Sequence, residues 1–140
     1  MVRTGGSKRE DRARASQYEQ VGRSLLRTAE DLSTMAEAKY GNALAILAIH
    51  AAIAYTDALT VAYRGTKSTD GDHAQAAALL LDVLKSQVPP AEVRRLRRVL
   101  NAKSNVSYSG TYYTLEEGQN LLAEVRAYVA WAEGALRRAP

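Results

Sequence analysis

The chain has 140 residues, 46% of them hydrophobic, which is apolar material for one domain with a single core and not for two. It contains no cysteine, so disulfide frameworks and thiolate metal centres are excluded and a reducing, cytoplasmic setting is expected. Nineteen Lys and Arg against fifteen Asp and Glu give a net charge of +4, which turns the search for partners towards polyanions without specifying one.

In chain order, Met1 to Arg14 carries Gly5-Gly6 and the basic residues Arg3, Lys8, Arg9, Arg12 and Arg14. It has little apolar surface to bury, so residues 1–14 are expected to be a disordered basic tail and residues 15–138 the folded domain. From Ala15 to Tyr40, Tyr18, Val21, Leu25, Ala29, Leu32 and Ala36 recur at helical spacing and predict an amphipathic helix. Gly41-Asn42 then reads as its stop. Ala43 to Tyr63 differs, because Leu44, Ile46, Leu47, Ile49, Ile53, Leu59 and Val61 surround the helix instead of lining one side. That distribution predicts the central, most buried helix; His50, Thr56, Asp57 and Thr60 within it favour a protein core over a bilayer span, and no membrane partner is expected.

Arg64 to Gly71 has the composition of a loop. Asp72 and Gln75 have the spacing of a capping box, predicting a short helix from His73 to Ser86. Pro89-Pro90 ends that element and opens a helix over Ala91–Val106, since proline suits the first turn and not the middle. Ser107 to Tyr113 breaks the pattern. Thr114 with Glu117 forms a second capping box, and the last helix runs to Arg138 with Leu115, Leu121, Leu122, Val125, Tyr128, Val129, Ala132 and Leu136 as its apolar seam. No strand is predicted. Five helices with short connections imply an all-α, antiparallel up-and-down bundle.

The stretch Arg94–Tyr113, RRLRRVLNAKSNVSYSGTYY, concentrates positive charge and tyrosines. At about 100° per residue, Val93, Leu96, Val99 and Leu100 form one face. Arg94, Arg97, Arg98, Asn101 and Asn105 gather on the opposite one. With Tyr112 and Tyr113, that outer face has the groups that bind phosphates and stack bases, or meet an acidic protein. Lys103 falls in the apolar face, where an ammonium must reach solvent along its stem or find a partner. His50 and Asp57, seven residues apart on one side of the central helix, are the expected partners, with Tyr108 closing the cluster. Asp70, Asp72 and His73 lie close in sequence, but acids at a helix start serve as caps, so no metal and no cofactor is expected.

Several segments together resemble a small stand-alone HEPN domain: Ile49-His-Ala-Ala-Ile-Ala-Tyr-Thr-Asp-Ala-Leu59, the Asp72-His-Ala-Gln75 helix start, Leu100 to Tyr113, and Thr114-Leu-Glu-Glu before a closing helix. The resemblance covers about Ser16 to Leu136. It implies an all-α bundle, commonly a homodimer, of a superfamily that includes ribonucleases, toxin components and non-catalytic members. Catalytic members carry an arginine followed four to six residues later by a histidine. Here both histidines, His50 and His73, precede Arg98, and the following segment offers Lys103, Asn105 and Tyr108. The expectation is therefore a non-catalytic dimerising module that binds RNA or a cognate protein. The alternative is a degenerate ribonuclease using Lys103, Tyr108 and His50, although a phenol is by its chemistry a poor base at neutral pH.

Overall fold

The computed structural model describes residues 7–35, 38–69 and 74–140. Five α-helices, α1 (Ala15–Ser33), α2 (Gly41–Arg64), α3 (Ala74–Leu84), α4 (Pro90–Ser107) and α5 (Leu115–Arg137), form an all-α bundle. α2 takes the centre because its sequence presents no polar stripe. Leu44, Ala45, Ala48, Ile49, Ala52, Tyr55, Ala58, Leu59 and Val61 are all buried, and the helix packs against each of the other four. Among the described residues it is the one helix long and apolar enough to cross a bilayer, and 78% of its most apolar window is buried inside the bundle.

The α2–α5 seam is locked by hydroxyls as well as by packing. Thr56 Oγ1 donates to Ala52 O at 2.8 Å and shares a 2.6 Å hydrogen bond with the buried Tyr128 hydroxyl, while Tyr63 Oη donates to Ala135 O at 2.8 Å. Each of these hydroxyls thereby has a partner, which avoids the desolvation cost of an orphaned donor. The Thr114–Glu117 capping box opens α5 as its sequence predicts, with both reciprocal bonds formed.

Several expectations are corrected. Residues 7–14, assigned to a disordered tail, are ordered: β1 (Ser7–Arg9) pairs antiparallel with β2 (Thr66–Ser68), and a 3-10 turn follows at Arg12–Arg14. The ribbon also overturns the expectation of no strand. Its cause is the exposed end of α2, where Arg12 Nε and Nη2 donate to Ala62 O at 3.0 and 2.8 Å and Glu10 N donates to Gly65 O at 2.8 Å. Gly41 does not stop the first helix; α1 ends at Ser33, and Gly41 begins α2 because the backbone of Tyr113 and Thr114 passes so close that only glycine fits. In α1 the inward position is Gly22, not Val21, which is 52% exposed; a Cβ at Gly22 would lie 2.6 Å from the Tyr55 ring. Of the expected Asp72–Gln75 capping box, Asp72 lies outside the described residues and Gln75 lies in the first turn of α3.

Candidate functional site

α4 starts at Pro90, whose missing N–H costs nothing in a first turn, and its wheel places Val93, Leu96, Val99, Leu100 and Val106 in the core. The four arginines that follow are not equivalent. Arg95 turns towards α5: its Nη1 donates to both Glu92 carboxylate oxygens at 2.8 and 2.9 Å and its Nε to Glu124 Oε1 at 3.2 Å. Arg98 shares that Glu124 oxygen at 3.1 Å. Arg94 and Arg97 are exposed, and among the described residues neither has an acidic partner. Asn101 and Asn105 continue the same outer face, both exposed.

Two clefts border this face. One, of about 380 Å³, brings Arg98 and Tyr113 together with Glu117, Asn120, Leu121 and Glu124 against α5. Tyr113 is fixed there because its backbone N donates to Asn42 Oδ1 at 2.8 Å, whereas Tyr112 projects outwards and is 62% exposed. The other, of about 310 Å³, lies at the α3–α4 corner and holds Arg94 and Arg97 above Leu81, Val88, Pro90 and Val93. Leu81 and Val88 were not singled out from sequence. The available signal was the run Leu79-Leu80-Leu81, since three successive residues cannot all face one core; Leu80 is fully buried and Leu81 is 43% exposed. A third cleft, of about 340 Å³, separates α1 from α5. Across it Arg126 pairs with Glu30 at 3.1 Å, and the Tyr55 hydroxyl donates to Glu133 at 3.1 Å.

The expected polar cluster forms only in part. Lys103 is buried, as its place in the apolar face demands, and its Nζ donates to Tyr108 Oη at 3.2 Å and lies 4.9 Å from the centroid of that ring. Tyr108 itself is 76% exposed, so the ammonium reaches the surface along its stem and is roofed by the phenol. Asp57 does not meet it. Asp57 Oδ2 lies 3.8 Å from Lys67 Nζ, which comes from β2 and sits 5.0 Å from the Tyr18 ring centroid. Tyr18 in turn donates to Glu10 Oε2 at 2.6 Å, so the N-terminal ribbon and α1 close over the end of α2 where Asp57 lies. Asp70, Asp72 and His73 lie outside the described residues.

His50 is exposed on α2, and partial burial of its ring together with the Lys103 charge holds its imidazole below the ordinary value of 6.5. The unfolded chain then binds the proton more readily than the folded one, so this group favours folding least at acid pH, and its effect appears as pH falls through the ordinary histidine range. An NMR titration of the His50 ring is expected to give a midpoint below 6.5, moving upwards in Lys103→Met. A midpoint at or above that value in the unmodified protein would contradict the arrangement.

Neither a protein-family model nor a curated protein matches this chain.

Proposed function

We propose that this protein is a non-catalytic, HEPN-like module of the cytoplasm that dimerises and engages a polyanionic macromolecule through the outer face of α4, in a role of the toxin–antitoxin or defence kind. The observation that carries this reading is the division of the arginines. Arg95 and Arg98 are neutralised by Glu92 and Glu124, while Arg94 and Arg97 stand beside them without an acidic partner among the described residues. Exposed guanidiniums one helical turn apart offer paired donors to phosphate or carboxylate. The HEPN part of the proposal rests on the resemblance of the α2, α4 and α5 segments and on the all-helical architecture it implies. Binding is favoured over cleavage because no imidazole follows Arg98 and because the Lys103 ammonium is engaged by the Tyr108 hydroxyl.

The test is fluorescence anisotropy with labelled single-stranded RNA and labelled polyglutamate across a salt series, with light scattering to check for a dimer. Affinity is expected to fall steeply with salt, and Arg94→Ala with Arg97→Ala is expected to reduce the logarithmic salt slope for RNA by about one to two. Binding that ignores salt, or that survives the double substitution unchanged, would overturn the assignment.

A further inference from the structure

The corner between α3 and α4 has a composition that the arginines alone do not explain. α3 ends at Leu84, Lys85 takes a left-handed backbone with φ of 52°, and a 3-10 turn over Lys85–Gln87 leads to Pro89-Pro90. This sharp reversal sets the last turn of α3 beside the first two turns of α4. Leu81 is thereby left 43% exposed above Val88 and Val93, which are 3% and 5% exposed, and the walls of the cleft are completed by Pro90, Arg94 and Arg97. An aliphatic floor with two guanidiniums at its rim that lack acidic partners among the described residues is a mixed surface: it gains from covering by carbon and from supply of negative charge in the same place.

Two classes of polyanion would satisfy the charge, and the floor separates them. Single-stranded nucleic acid gains much of its affinity where bases stack on aromatic rings, and among the described residues no aromatic ring lines this cleft. The tyrosines that would serve, Tyr112 and Tyr113, follow the opposite end of α4, and Tyr113 shares its cleft with the neutralised Arg98. A peptide side chain suits the floor, and carboxylates beside it in the peptide suit the rim. We infer that the α3–α4 cleft is the docking site for an acidic protein segment, one aliphatic or aromatic side chain seated on Leu81 and Val93 with flanking Asp or Glu residues on Arg94 and Arg97. This deepens the polyanion reading and rests on it for the role of the two arginines.

The experiment is selection of a displayed random-peptide library against the full chain, followed by affinity measurement of the enriched peptides on Leu81→Asn and on Arg94→Ala with Arg97→Ala. Leu81 and both arginines are exposed, so the fold tolerates these changes; circular dichroism checks this. Enriched sequences are expected to carry an apolar residue between acidic ones, and each variant is expected to weaken them about tenfold. Failure to enrich such a pattern, or peptides that bind Leu81→Asn as well as the unmodified chain, would overturn the inference. The labelled RNA is measured in parallel. If RNA binding is lost in the arginine variant and untouched in Leu81→Asn while no acidic peptide is enriched, the partner is a nucleic acid: the polyanion reading stands and the docking inference falls. If neither polyanion nor peptide responds to the arginines, both fall.

Discussion

Gly41→Ala is expected to lower stability by about 3 kcal/mol, the upper part of the range for overpacking. A Cβ at this position would lie 2.1 Å from Tyr113 O and 2.4 Å from Thr114 O, distances that no rotamer relieves because the neighbours are backbone atoms. That backbone cannot easily retreat. Asn42 Oδ1 holds Tyr113 N at 2.8 Å, Asn42 Nδ2 donates to Thr111 O at 2.9 Å, and the Thr114–Glu117 capping box fixes the next residues. Gly118 faces the same crossing, with its added Cβ 2.8 Å from Gly41 O, so α2 and α5 approach through two glycines. Urea denaturation followed by circular dichroism should show the loss, with a melting temperature lower by about 10 °C. Gly134→Ala is the control. Its Cβ would meet only the flexible guanidiniums of Arg138 and Arg137, and a helical glycine replaced without strain is expected to stabilise by about 0.5–1 kcal/mol. Equal behaviour of the two alanine variants would remove the close-approach explanation.

Asp57→Ala is expected to be the second most damaging of these changes, costing about 2–3 kcal/mol. The substitution removes the carboxylate 3.8 Å from Lys67, whose side chain is 14% exposed and packed on the Tyr18 ring. An ammonium left there must be desolvated without compensation or must pull away, which opens β2 and with it the pairing to β1. Asp57→Ala combined with Lys67→Met removes the stranded charge while keeping the apolar stem, and should recover most of the loss. The coupling between the two sites in a double-mutant cycle is the deciding measurement. Additive effects would mean that the pair contributes nothing.

What was legible in the sequence was local or periodic. The all-round hydrophobicity of α2, the inward face of α4 at Val93, Leu96, Val99 and Leu100, the seam of α5 and its capping box each depend on residues within one or two helical turns, and each appears in the fold. What was not legible depends on distant partners. Ser7 pairs with Ser68 and Arg12 with Ala62 O, so a basic segment with no hydrophobic signal of its own becomes ordered by the unsatisfied end of a helix. Gly41 was misread because glycine marks both helix ends and close backbone crossings, and only the second partner, Tyr113–Thr114, tells them apart. At the candidate site, the wheel separated the outer arginines from Lys103 correctly. It could not foresee that Glu124 on α5 would neutralise Arg98, that Lys67 would take Asp57, or that Leu81 would be carried to the side of Arg94.

The central position of α2 has a consequence for synthesis. Translation runs from the N-terminus, so α2 is complete while α5, which covers one of its sides through Leu122, Val125, Tyr128 and Val129, has yet to be made. During that interval the nascent chain displays a long helix apolar on every face, with α1 alone to shield it at first. Chains stopped before Leu115 would retain this sticky surface permanently, and they are the species that holding chaperones and proteases of the cell would have to clear.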